Sequence, residues 1–209
     1  MFDYIRDPAE IYKRSFETVR AETDVSSLSA DEAALTVRLV HACGMPDIVR
    51  NLVFGPGALK VGRAALGEGA AILTDVEMVR HGIIRARLPA ENPVLCMLHD
   101  AGVKERAAEQ GTTRSAAAVD LWREGLEGSV VAIGNAPTAL FRLLEFIGDG
   151  VAPPAMIAAF PVGFVGAAES KEALIDFAAA KAISFVTLKG RWGGSALAAA
   201  CVNAMGESE

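Results

Sequence analysis

Hydrophobic positions along this chain fall into two regimes. Up to about residue 68 they recur at the three- and four-residue spacing of amphipathic helices. Beyond residue 70 they gather into short, unbroken aliphatic runs separated by helical segments. In the first regime Pro8, with Ile11, Phe16 and Val19, predicts a helix over 8–21. A turn at 26–29 follows. Ser29 and Glu32 then fit a capping box that opens a helix over 30–43, and Gly44 offers it a stop. A further short helix over 46–54, a turn at 55–57 and a helix over 58–68 complete this part.

In the second regime the runs 70–74, 94–98, 130–133, 155–160 and 183–188 predict strands. They are continuously apolar rather than alternating, as strands covered on both faces are. Helices of roughly 10–14 residues fit between most of them, a normal length for crossovers. The pattern predicts an α/β fold with a mainly parallel sheet of about five strands, helices on both faces and right-handed crossovers. Nothing in the 209 residues reads as an internal repeat or a low-complexity linker, so one domain is expected over 1–209. Its helical part covers about 8–68 and its βα-repeating part about 70–205, with a frayed end at 206–209.

Composition narrows the classes. Apolar residues make up 52% of the chain and aromatics only 6%, so the core is built from aliphatics and is large enough to fold without staples. A net charge of −6 argues against nucleic acid as the main partner and against an anionic membrane surface. It leaves room for an acidic small ligand, because local charge can oppose global charge. Cys43, Cys96 and Cys201 are scattered and odd in number, which suits free thiols in a reducing cytoplasm rather than a disulfide framework or zinc site. His41, His81 and His99 lack metal-ligand spacing. The first fourteen residues carry acidic groups and no apolar core, unlike a signal peptide. The uncharged run 150–168 has the length of a membrane span but holds Pro153, Pro154 and Pro161, and reads instead as a buried strand followed by a loop. No membrane association is expected.

The segment RLVHACGMPDI (38–48) concentrates the candidate chemistry. Arg38 and His41 stand three apart, on one face of an otherwise apolar helix. A helix C-terminus favours protonated histidine, so the pair suits a proton donor beside an anion-binding arginine. A half-buried histidine bonded to a backbone carbonyl fits the same spacing. In open α/β sheets ligands sit beyond the carboxyl ends of the strands. There KGRWGGSAL (189–197) passes from a strand into a helix, with Lys189, Arg191 and two glycines before Ser195. It lacks the P-loop order, and two cations with two glycines favour an anion site over a tight turn with solvated basic residues. GNAPTAL (134–140) has the same context, with Pro137 suited to a first helical turn and Asn135 and Thr138 placed to cap it or to touch a ligand. TTRSAAAVD (112–120) puts Arg114 and Ser115 at a helix start, where an arginine gains nothing from the dipole; an acidic ligand or plain exposure explains it. GEGAAILTD (67–75) fails as a dinucleotide fingerprint because its glycines precede the strand. His99-Asp100 is a weaker catalytic pair, since adjacent residues rarely face each other.

Taken in order, YIRDPAEIYKRSF (4–16), RLVHACGMPDI (38–48), TDVEMVRHGI (74–83), TTRSAAAV (112–119), GNAPTALFRLLE (134–145), PVGFVGAAESKEAL (161–174) and KGRWGGSALAAA (189–200) resemble the precorrin-8X methylmutases of cobalamin biosynthesis, over almost the whole chain. Trp192 departs from the pattern, which leads one to expect a basic or less bulky residue. The resemblance implies a three-layer flavodoxin-like fold, a homodimer and no cofactor or metal. It implies an isomerase that moves a methyl group from C11 to C12 of its acidic tetrapyrrole substrate to give hydrogenobyrinate, drawn as a [1,5]-sigmatropic shift. It places the catalytic histidine on His41 and substrate contacts on Ser15 and Arg38, with Arg114, Ser115, Lys189, Arg191 and Ser195 as further substrate-binding residues. An apolar content of 52% with mean hydropathy +0.31 also suits a dimer. Two alternatives remain at this point: a cobalt-precorrin-8 methylmutase giving cobyrinate, and a non-catalytic tetrapyrrole carrier. A hydrolase has no GxSxG elbow in its favour.

Overall fold

The structure, a computed structural model, describes residues 2–206; the expected frayed end lies, for 207–209, outside the described residues. Local signals set the first helices. α1 (Pro8–Glu22) starts with Asp7 as N-cap, its carboxylate accepting the N–H groups of Ala9 and Glu10. α2 (Ala30–Cys43) opens on the expected Ser29–Glu32 capping box and closes on Gly44 at φ 68°.

The reading of 46–54 as one helix is corrected. Pro46–Asn51 is a 3₁₀ turn, and Leu52–Phe54 forms strand β1. Leu52, Val53 and Phe54 pair antiparallel with Leu188, Thr187 and Val186. Three apolar residues carry no period of their own, so the neighbouring strand decides their conformation. After α3 (Ala58–Gly67) come β2 (Ile72–Thr74), α4 (Glu77–Gly82), β3 (Val94–Cys96), α5 (Val103–Glu109), α6 (Arg114–Val119), β4 (Val130–Ile133), α7 (Pro137–Gly148), β5 (Met156–Ala159), α8 (Ala167–Lys181), β6 (Phe185–Leu188) and α9 (Ser195–Gly206). All five expected strands form within their apolar runs.

The sheet order is β1-β6-β5-β4-β2-β3, with every pair parallel except β1–β6. Numbered by themselves, the five parallel strands run 2-1-3-4-5, the flavodoxin-like order, with its switch point between β2 and β4. Successive strand residues feed two cores. Val130, Ala132, Met156, Ala158, Val186 and Leu188 pack with residues of α2, α3, α4 and α9. Val131, Ile133, Ile157, Ala159 and Phe185 pack with residues of α7 and α8 and with Trp122. This is the three-layer arrangement that continuous apolar strands require. The run 150–168 resolves into loop, β5, loop and the start of α8, and among the described residues no helix is long and apolar enough to cross a membrane.

Candidate active site

Two helix stripes meet at the first cluster. On α1, Tyr12, Ser15 and Phe16 share a face by their three- and four-residue spacing. On α2, Arg38 and His41 share another, while Leu35, Thr36, Leu39 and Val40 are buried. Ser15 Oγ lies 3.0 Å from His41 Nδ1. The Phe16 ring stacks on the imidazole at a centroid distance of 4.6 Å. Arg38 donates to the Tyr12 hydroxyl and sits 4.8 Å over the Phe16 ring. Phe16 is buried, Arg38 half-buried and His41 exposed at the last turn of α2. A satisfied core histidine is therefore not what α2 presents: among the described residues His41 is held by a side chain, not by a carbonyl, and the residue is exposed. Next to Arg38 a groove of about 630 Å³ runs between α1 and α2, with Lys13, Arg20 and Arg63 among its lining.

The chain then carries this region to the carboxyl end of the sheet. It enters β1 opposite Leu188, the last residue of β6, and Asn51 O accepts the Lys189 N–H at 2.8 Å.

Of the remaining predicted residues, Lys189, Arg191 and Ser195 follow β6, on the rim formed by the loops after β2, β4, β5 and β6, and Arg114 and Ser115 open α6. Asp75, 1% exposed, follows β2 at the switch point. One carboxylate oxygen accepts the Gly134 N–H at 2.9 Å, the other those of Asn135 and Ala136 at 3.0 and 2.7 Å. Burial pushes this carboxyl above its usual value, against the pull of the three N–H groups. The N–H groups at the α7 entry, of the kind doubly wound sheets commonly offer to an anion, are thus taken by the protein's own carboxylate. Neither Asn135 nor Thr138 caps α7 through its side chain; Thr138 bonds to Thr113, the N-cap of α6, at 2.7 Å. That bond sets Arg114, exposed, and Ser115, buried, beside the rim.

A Cβ at Gly134 would lie 2.6 Å from Ser195 Cα, so the β4 loop and the start of α9 touch through backbone. Gly194 N–H donates to Phe160 O at 2.8 Å, and Gly163 N–H to Arg191 O at 3.2 Å. Lys189 and Arg191 remain exposed, with Arg191 5.5 Å over the Phe164 ring; Ser195 is buried. Trp192, 47% exposed, gives its carbonyl to Lys171 Nζ at 2.5 Å. Lys171 is fully buried, which lowers its pKa to about 8.

Ser15, Arg38 and His41 thus converge in one cluster. Arg114, Ser115, Lys189, Arg191 and Ser195 share the rim, linked through Thr113, Thr138, Gly134 and the 160–163 segment. His99 and Asp100 are both exposed in the turn after β3. Sequence reasoning missed Tyr12, the anchoring role of Asp75, and Lys171. Tyr12 was readable from its spacing to Ser15 and Phe16. Asp75 stood among the strand-end residues, but its partners lie 59–61 positions away. Lys171 sits in an ordinary helical pattern, and only tertiary packing marks it. Among the described residues no group of three His, Cys, Asp or Glu side chains is placed to hold a metal ion.

Comparison with known proteins agrees with this architecture. The family model for precorrin-8X methylmutase (CbiC) matches residues 10–208. A protein of Pseudomonas aeruginosa named precorrin-8X methylmutase is 57% identical over 205 residues, covering 98% of each chain. One of Salmonella typhimurium named cobalt-precorrin-8 methylmutase is 38% identical, covering 97% of this chain and 96% of its own. The solved structure of precorrin-8X methyl mutase from Thermus thermophilus superposes with a TM-score of 0.83 at 34% identity, over 94% of this chain and 95% of that one. With a shared fold, a full-length family match and this degree of identity, the chain belongs to the precorrin-8X methylmutase family of isomerases in cobalamin biosynthesis.

Proposed function

We propose that this chain moves a methyl group from C11 to C12 of metal-free precorrin-8X, giving hydrogenobyrinate, with His41 as proton donor and acceptor. The observation that carries the reading is the exposed imidazole whose Nδ1 is engaged by Ser15 Oγ at 3.0 Å. With Nδ1–H donating to that hydroxyl, the protonated ring keeps Nε2–H for the substrate. After the proton leaves, Nε2 holds a lone pair and the bond to Ser15 persists, so one ring orientation serves both directions of transfer. The methyl shift needs no nucleophile: the bond to C11 breaks as the bond to C12 forms, and ring protonation redistributes the π electrons. The product is an isomer, so atoms balance.

Arg38, held against Tyr12 and Phe16, receives one substrate carboxylate. Arg114, Lys189 and Arg191, with Ser115 and Ser195 at their helix starts, receive others along the rim. Exposed Phe164, Val165 and Trp192 beside Arg191 support a homodimer whose pockets borrow residues from the partner; sedimentation at twice 21.9 kDa tests it. Three unpaired thiols suit a reducing compartment, and the reading places the enzyme in the cytoplasm. The preference for a metal-free substrate follows the 57% identity to a relative named for it, against 38% to one named for the cobalt form.

The test is His41→Ala. Turnover, followed by the absorption of the product, falls by about 10²–10⁴ while tetrapyrrole binding is kept. Full activity in a folded His41→Ala protein sinks the assignment. Incubating the wild-type protein with metal-free and cobalt-bearing substrate separates the two substrate readings; spectral change with neither leaves the carrier.

A further inference from the structure

Lys171 is a buried cation that the reaction so far does not use. It is 0% exposed, and among the described residues no carboxylate lies within 4.0 Å of its Nζ. Among the described residues its one hydrogen bond is to Trp192 O, at 2.5 Å. Burying an ammonium without a counter-ion costs stability, and a methionine would occupy similar space without that cost. A group retained at such a cost needs another reason to be charged and in place.

The reason lies in the loop above it. Two successive carbonyls of the 189–195 loop are turned into the protein: Arg191 O accepts from Gly163 N–H, and Trp192 O accepts from Lys171. Gly193 follows at once, packed so closely on the Phe160 and Pro161 carbonyls that no side chain fits. With both carbonyls engaged by donors of the protein, neither is offered to the face that carries the exposed Lys189 and Arg191 side chains. A rotation of the Trp192–Gly193 peptide would bring a carbonyl oxygen to that face, against any arriving carboxylate. An apolar side chain at 171 has no donor with which to oppose the rotation.

We propose that Lys171 is a positioning residue: its ammonium holds the Trp192 carbonyl inward, keeping the outer face of the 189–195 loop fit to receive a substrate carboxylate. This rests on the reading that Lys189 and Arg191 meet the substrate's carboxylate rim. The lysine touches no substrate and acts through the loop alone. Its lowered pKa, about 8, is the mark of the same desolvation.

The experiment compares Lys171→Met and Lys171→Gln with Arg191→Ala. For each, hydrogenobyrinate affinity, KM, kcat, melting temperature and acrylamide quenching of Trp192 are measured. Lys171→Met is expected to melt at or above the wild-type temperature. Its KM and product Kd rise by about ten- to a hundredfold, with kcat little changed and Trp192 more open to quencher. Lys171→Gln, which keeps a donor, recovers part of the affinity. If Arg191→Ala weakens binding and Lys171→Met does not, the proposal falls and the carboxylate reading stands. If neither weakens binding, both fall. A Lys171→Met protein that melts lower and loses affinity only in proportion, with no recovery in Lys171→Gln, marks a structural lysine and also overturns the proposal.

Discussion

Removing the Asp75 carboxylate tests how the rim is built. Asp75→Ala deprives three backbone donors of their acceptor at once: Gly134, Asn135 and Ala136, at 2.9, 3.0 and 2.7 Å. α7 has no side-chain cap of its own, so nothing nearby replaces the lost oxygen atoms. Gly134 and Ala136 are buried, whereas Asn135 is exposed and can turn to water. At about 1–3 kcal/mol for each buried donor left unpaired, the two buried groups cost about 2–6 kcal/mol. Asp75→Asn is milder. Its amide oxygen can keep the Asn135 and Ala136 bonds, but its nitrogen then faces the Gly134 N–H, donor against donor, for about 1–3 kcal/mol. Each kcal/mol lowers the melting temperature of a chain of this length by about 2–4 °C. Urea unfolding followed by circular dichroism gives the free energies, with Asp100→Asn in the exposed turn as reference. An Asp75→Ala protein within about 1 kcal/mol of wild type would overturn this account of the rim. So would an Asp75→Asn protein as unstable as Asp75→Ala, because the amide oxygen still serves two of the three donors.

Two further outcomes follow from the same packing. Gly193→Ala would put a Cβ in overlap with Phe160 O and 2.5 Å from Pro161 O; backbone cannot yield as a side chain does, so the loop shifts, costing about 1–3 kcal/mol in a urea titration and weakening product binding. Lys171 binds its proton less tightly when folded, about 8 against 10.5, so the unfolded chain carries more protons between these values; the stability difference between wild type and Lys171→Met should shift in favour of wild type as pH rises through that window, by at most about 3 kcal/mol, and a flat difference counts against the buried ammonium.

The elements legible in the residues alone are those whose signals are local. The Ser29–Glu32 box and Gly44 bound α2 at the expected residues because capping is settled within a few positions of each helix end. The five apolar runs became the five parallel strands because a run without alternation can be buried only between two layers. Arg38 and His41 were legible as a pair because the helix fixes their common face. Contacts between distant segments were decided only by the tertiary structure. Strand β1 exists because β6 offers an edge to Leu52–Phe54, three residues whose own pattern suits the end of a helix equally well. Ser15 reaches His41 across 26 positions, and Asp75 reaches the α7 entry across 59. Lys171 and Trp192 meet because α8 and the 189–195 loop pack together, and nothing in the residues around either one announces it. Periodicity and capping are properties of neighbours along the chain, so they can be read in one dimension. A buried charge takes its meaning from what surrounds it in space, and that exists only once the layers have closed.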